Sequence, residues 1–176
     1  MDFPINDIKK TSRNRKTRMK IGKAIVQLLD QTPLSEIKIS TISQMTGLSR
    51  MTFYHYYVSK EAALKDYLTE IIYRFKREVT EKGLDSEFKS VDHLTFAFSF
   101  FGRFDKVILK LESIGCYKYI VDCFNDFFEE EYRSYFNDSV YDMYMYSGGI
   151  LNVFFKWIHD GKKESARSIA RSILGQ

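Results

Sequence analysis

Thr41-Ile-Ser-Gln-Met-Thr-Gly-Leu-Ser-Arg-Met-Thr-Phe-Tyr-His-Tyr-Tyr-Val-Ser-Lys60 is the stretch that decides how this chain folds. Its residues predict two short helices meeting at a glycine. Thr41 stands where an N-cap is needed, Ile42 and Met45 give the first helix an apolar side, and Gly47 supplies the left-handed backbone that turns the chain out of it. Leu48 fills the corner. Ser49 then caps a second helix on which Phe53 and Tyr57, four residues apart, face inward. Arg50, Met51, Thr52, Tyr54, His55 and Tyr56 are left to face outward. A helix that only meets water usually carries Lys and Glu there, whereas these side chains suit base edges, thymine methyls and phosphates. The pattern predicts a helix-turn-helix lying against a nucleic acid.

Upstream, eight bases (Lys9, Lys10, Arg13, Arg15, Lys16, Arg18, Lys20 and Lys23) occupy a stretch with no acid. Alone, such a run reads as a solvated tail and helix face. Just before a helix-turn-helix it reads as a tracker of phosphates. The 176-residue chain has a net charge of +4, unevenly spread: residues 1–82 carry 16 Lys and Arg against 9 Asp and Glu, and residues 83–176 carry 11 against 14. That asymmetry points to a polyanion partner for the first part only. Residues 1–12 show little periodicity and are expected to form a mobile arm. From Arg13 to Gln31, Met19, Ile21, Ala24, Ile25, Leu28 and Leu29 recur at three- and four-residue steps, predicting an amphipathic helix that Thr32-Pro33 ends. Leu34, Ile37 and Ile39 anchor the loop that follows, so residues 13–58 are expected to form a three-helix unit.

Ser59 caps the next helix, with Glu61 well placed at its positive end. Lys60 opposes the dipole there, a poor choice for stability and a good one beside a DNA phosphate. The helix is expected to run to about Thr80, some 20 residues and therefore about 30 Å long, within a connecting segment over 59–82. Gly83-Leu84-Asp85-Ser86 breaks it and marks the expected start of a second domain, 83–176.

The pattern Thr41-x3-Met45-x-Gly47-Leu48-Ser49-x2-Thr52-Phe53-Tyr54-x-Tyr56-Tyr57-x2-Lys60-Glu61-x2-Leu64 resembles the signature of the TetR family of bacterial transcriptional regulators. Thr46 stands where that family usually has Ala. The resemblance is specific over residues 15 to 75. It implies an all-α protein with an N-terminal helix-turn-helix domain and a C-terminal helical ligand-binding and dimerisation domain. It also implies a homodimer on a palindromic operator in double-stranded DNA, released by a small-molecule effector. Thr41, Ser49, Arg50, Met51, Thr52, Tyr54, His55, Tyr56 and Lys60 are the DNA-binding residues it points to, with Arg50 suited to guanine or phosphate. Thr52, Tyr54, Tyr56 and Lys60 match positions that touch the DNA backbone in the family.

After residue 83 the composition turns aromatic. Phe96, Phe98 and Phe100 alternate as in a strand, yet helical flanks and the lack of a hairpin partner favour a central helix that is apolar nearly all round. Gly102 is expected to end it. Asp105 to Ser113 and Tyr117 to about Tyr135 read as further helices, the second with Glu129, Glu130 and Glu131 on a solvated face. Ser139 to His159 reads as a long apolar helix interrupted by Gly148-Gly149, two residues that cost it about 2 kcal/mol relative to alanines. Close approach of another backbone, that of a symmetry mate, would account for them. A last helix over 165–174 has a narrow apolar stripe. The segment Phe154 to Gly161 and that stripe resemble the dimerising helices of the TetR family, giving Gly148, Gly149, Phe155, Ile169 and Ile173 as the expected dimer interface.

The sequence offers no constellation for catalysis: no Gly-rich phosphate loop, CxxC, HExxH or Gly-x-Ser-x-Gly, and His55, His93 and His159 are dispersed. No catalytic residue, metal ligand or cofactor is expected. Cys116 and Cys123, seven apart, would be about 10 Å apart along one helix and read as small buried hydrophobes. No signal-peptide core or membrane span is visible, so a cytoplasmic location is expected. Phe98, Phe101, Phe104, Tyr117, Tyr119, Tyr144 and Tyr146 are candidates for the lining of an effector cavity, with plain core packing as the rival reading. A second functional reading keeps the DNA-binding domain and makes the aromatic half a dock for a protein partner.

Overall fold

The computed structural model describes residues 12–85, 88–136 and 139–176. The expected arm over 1–12 lies almost wholly outside the described residues, as do Lys9 and Lys10. Ser86, at the end of the expected break, lies outside them too. Every regular element among the described residues is helical. The chain forms two compact units, Met1–Glu70 and Ile71–Gln176.

In the first unit, α1 (Ser12–Leu28) buries Ile21, Ala24 and Ile25, the three- and four-residue repeat expected of it. It ends three residues earlier than expected. Leu29 still enters the core, but from a turn in which Thr32 N–H reaches back to the Leu28 carbonyl. A short 3₁₀ turn, Leu34–Glu36, then delivers the buried Ile37. Next come α2 (Ile39–Thr46), α3 (Arg50–Tyr56) and α4 (Lys60–Glu81). The division between the units falls inside α4, at Glu70 and Ile71, while Gly83 (φ 67°) stands in the turn just after the helix.

Gly22 explains how closely α1 and α4 approach. A Cβ placed there would lie 2.4 Å from the Tyr67 Cβ and 2.6 Å from its ring, so only glycine fits. No helical periodicity reveals that requirement.

The second unit begins with the end of α4, where Ile71, Ile72, Phe75 and Val79 are buried. It continues through α5 (Val91–Phe101), α6 (Asp105–Ser113), α7 (Tyr117–Glu131), α8 (Val140–His159) and α9 (Ala166–Leu174). The alternation of Phe96, Phe98 and Phe100 is helical. Phe98 turns to Phe154 and Trp157 of α8, at 5.7 and 5.5 Å between ring centroids. Phe96 and Phe100 turn to Phe75 of α4, at 5.8 and 5.5 Å. An apolar surface on opposite sides is what a helix between two neighbours needs.

Gly102 caps α5 and lets the Trp157 ring lie where a Cβ would come within 3.1 Å of it. The Trp157 indole N–H donates to the Glu164 carbonyl (2.8 Å), which fixes the turn from α8 into α9. Lys162 adopts a left-handed φ of 56° in that turn, and its ammonium bonds the Gly102 carbonyl (3.0 Å) and Asp105 (2.5 Å). Those bonds offset the strain of a non-glycine residue at positive φ. Cys116 and Cys123 are both buried and unbridged.

The acidic triplet does more than face water. Tyr144 donates its hydroxyl to Glu129, Tyr73 donates to Glu130, and Lys76 pairs with Glu131 at 3.3 Å. These three contacts tie α7 to α8 and to the second half of α4. They were hidden in the sequence because their partners lie on other helices.

Candidate nucleic-acid interface

The helix-turn-helix is built from α2, Gly47 and α3. Gly47 sits at φ 67°, ψ 15°, the left-handed conformation in which any other residue would be strained. Two details of α2 differ from expectation. Its N-cap is Lys38, not Thr41: Ile37 is anchored in the core, Lys38 leaves it extended, and the helix starts at once, placing Thr41 inside the first turn and exposed. The inward pair is Ile42 and Thr46 rather than Ile42 and Met45. A four-residue step from Ile42 keeps Thr46 on the same side, and Met45 is rotated out to the surface. Thr46 is accommodated because its hydroxyl donates to the Ile42 carbonyl (2.7 Å) and accepts from the Leu48 N–H (3.3 Å). The hydroxyl that distinguishes Thr from Ala here thus bridges the turn.

Ser49 caps α3 as expected, accepting from the Thr52 N–H at 3.0 Å, and the two hydroxyls lie 2.9 Å apart. Phe53 is 1% exposed and Tyr57 is buried. The Tyr57 hydroxyl donates to Asp66 (2.6 Å), which also takes two hydrogen bonds from the Arg18 guanidinium. Burial, with Asp66 close by, pushes the Tyr57 phenol well above its ordinary range, so it stays a donor. Arg18 and Asp66 form a bidentate pair, the stronger kind of ionic hydrogen bond. Arg15 pairs with Glu70 at 2.5 Å. Two of the bases in the acid-free run therefore hold α1 against α4, while Lys16, Lys20 and Lys23 are exposed on α1.

The outward residues of α3 separate into two groups. Thr52 is engaged with Ser49, and the Tyr56 hydroxyl donates to Asn14 of α1 (3.1 Å). Arg50, Met51, Tyr54 and His55 are exposed, with Met51 at 80% and Tyr54 at 56%. Among the described residues none of these four makes a side-chain hydrogen bond, although the Tyr54 ring packs edge-on against Phe53 and the His55 ring against Tyr56. Lys60 is turned inward along the loop, donating to the carbonyls of Ser35 (2.6 Å) and Ile37 (3.0 Å). It fixes the segment that leads into α2 and has one proton left for another acceptor. Ser59 caps α4 through the Ala62 N–H (3.1 Å).

The fold is shared with a solved regulator. The fatty acid degradation regulator FadR from Bacillus halodurans matches over 94% of this chain and 94% of its own, with a TM-score of 0.52 and 17% identity. A transcriptional regulator FadR from Bacillus subtilis, solved in complex with stearoyl-CoA, gives a TM-score of 0.48 at 18% identity, over 89% of this chain and 95% of its own. No protein-family model matches the sequence, and no curated protein does. At such identity the likeness to the Bacillus halodurans protein establishes a common all-helical fold.

The candidate effector residues of the second unit are spread along a network of aromatic contacts that Phe75, His93 and Phe88 connect. Phe98 and Phe101 both contact Phe154, at 5.7 and 6.5 Å, and Phe104 contacts Phe100 at 5.7 Å. Tyr117 lies against Phe155 (5.0 Å), and Tyr119 is half-buried on the same helix. Tyr146 contacts Phe88 (5.5 Å), Phe128 (6.2 Å) and Phe136 (5.7 Å), and Tyr144 is exposed. The buried hydroxyl of Tyr146 has no hydrogen-bond partner among the described residues, and burial raises its pKa to about 12.

Of the expected dimer residues, Phe155 is buried in the core of its own unit, and Ile169 and Ile173 are half-buried against that core. Gly148 and Gly149 differ from them. A Cβ at either position would meet nothing within 4 Å among the described residues beyond its chain neighbours and the backbone of its own helix. Met145 and Tyr141, one and two turns earlier on α8, are exposed. No group of three or more metal-binding side chains is found among the described residues, and none of their helices is long and apolar enough to cross a membrane.

Proposed function

We propose that the chain is a TetR-like transcriptional regulator. In this reading it is a cytoplasmic homodimer whose first unit binds a palindromic operator in double-stranded DNA, and a small molecule bound by the second unit releases it as a repressor. The observation that carries the reading is the outer side of α3, where Arg50, Met51, Tyr54 and His55 stand exposed on a helix whose other side is locked by Phe53 and by Tyr57 to Asp66. A helix held this firmly can present side chains to base edges without rearranging. Exposed Lys16, Lys20 and Lys23 supply charge for the phosphates. The shared fold with a transcription regulator supports the same reading.

A dimer would pair two copies of α3 with half-sites about 34 Å apart on the DNA. The bare backbone at Gly148 and Gly149, beside exposed Tyr141 and Met145, is where a second copy of α8 could approach closely. The effector would act by favouring a different separation of the two copies of α3. A near-complete switch asks it to prefer that state by about 5.5 kcal/mol.

The decisive experiment selects bound sequences from random duplex DNA and then measures affinity for the selected operator. Arg50→Ala with Tyr54→Ala is expected to weaken binding at least about tenfold, with an unchanged melting temperature because both side chains are exposed. Full affinity in the double variant would refute the assignment.

A further inference from the structure

The chemistry of α3 also restricts which bases it can read, an inference that rests on the DNA-binding reading above. Adenine is recognised in the major groove by the side-chain amides of Asn and Gln, and cytosine by carboxylates. The sequence of α3, Arg-Met-Thr-Phe-Tyr-His-Tyr, contains neither kind. Thr52, which can serve either base, has its hydroxyl beside that of Ser49 at 2.9 Å, and Tyr56 is bonded to Asn14. The groups left are one guanidinium at Arg50, an imidazole at His55, and two largely apolar side chains, Met51 and Tyr54.

Met51 is the most informative. It is an unbranched thioether, 80% exposed, on the second residue of the helix, and nothing in the first unit requires it to be apolar. Recognition helices of this type contact base edges with their N-terminal residues. An apolar side chain in that place gains by covering apolar surface, and the one apolar group that a base pair presents in the major groove is the C5-methyl of thymine. Met also adapts its shape to what it covers.

We propose that Met51 is a specificity-determining residue that reads a thymine methyl, next to a guanine read by Arg50. Each operator half-site therefore contains a thymine beside a guanine, and α3 distinguishes that thymine from cytosine and from uracil through its methyl group.

The test uses the full chain and the half-sites recovered by selection from random duplex DNA. Each thymine is replaced singly by deoxyuridine, which removes only the methyl, and affinity is measured for the wild type and for Met51→Ala. Loss of contact with one buried methyl corresponds to about fourfold weaker binding. The wild type is expected to lose about that much at one thymine beside the guanine contacted by Arg50. Met51→Ala should bind thymine and uracil equally well there, with an unchanged melting temperature. Arg50→Ala should keep the sensitivity to the methyl while losing the preference for guanine. A selected half-site at which no thymine is sensitive to methyl removal would overturn this proposal and leave the regulator reading standing, as would sensitivity that persists undiminished in Met51→Ala. Binding with no sequence selected at all would remove the regulator reading itself.

Discussion

His93 shows how one buried side chain sets a pH dependence. It lies on α5, 3% exposed, with its ring edge-on to Phe75 and Phe88 (5.8 Å each) and to Tyr132 (6.1 Å), and with Nδ1 3.2 Å from the Leu84 carbonyl. Burial lowers its pKa below 6.5; the contact with Leu84 and the charge of Asp85 oppose the shift, and Lys76 adds to it. The unfolded chain therefore takes up the proton first as the pH falls. The stability His93 contributes is complete above its unfolded pKa of about 6.5 and declines as the pH drops from there through the lower folded value. Urea unfolding should show a falling midpoint from about pH 7 to pH 5, and His93→Phe should flatten that slope. An equal slope in the variant would place the effect elsewhere. Thr46 is likewise buried although it is polar. The folded turn, with the Ile42 carbonyl and the Leu48 N–H in reach of its hydroxyl, explains its burial.

Among the elements, the contact between α1 and α4 is the most constrained. Arg18 to Asp66, Arg15 to Glu70, and Gly22 beneath Tyr67 lie along it. Gly22→Ala would put a methyl where the Tyr67 side chain already is, and no rotation about a flexible end relieves a 2.4 Å contact with a Cβ. Overpacking of this kind costs about 1–3 kcal/mol, which should appear as a lower melting temperature together with weaker DNA binding. A variant as stable as the wild type would mean that the two helices can separate freely. The helices themselves were readable in advance: α6 and α9 fall where periodicity and their bounding residues place them, because repeats and caps act within one or two turns. The eight bases were readable as a group but not individually. Arg15 and Arg18 were counted with the phosphate trackers, since nothing local distinguishes an arginine that will meet Asp66 or Glu70 from one that will meet DNA.

For the whole molecule, Gly148 and Gly149 on α8 carry the clearest consequence. Among the described residues nothing beyond their own helix comes within 4 Å of a Cβ placed at either, so the helix bears their conformational cost without a packing gain there. If a second copy packs there, Gly149→Leu should abolish the dimer in sedimentation and weaken operator binding. The same change should leave an isolated chain as stable or more so, by up to about 1 kcal/mol, because leucine favours a helix. A variant that still dimerises would move the interface to another surface.

The sequence by itself determined the helical class, the order of the helices, the helix-turn-helix with its glycine and Ser49 cap, and the outward set on α3. All of these follow from spacing within a few residues. The tertiary structure alone decided that Lys60 holds the carbonyls of Ser35 and Ile37, that Arg18 and Tyr57 meet at Asp66, that the acidic triplet joins three helices, and that His93 stands between Phe75 and Phe88. Arg18 and Asp66 are 48 residues apart, and Tyr73 and Glu130 are 57 apart. Which of many possible partners a charged or aromatic side chain meets over such separations depends on how the helices pack, and no local pattern records that choice.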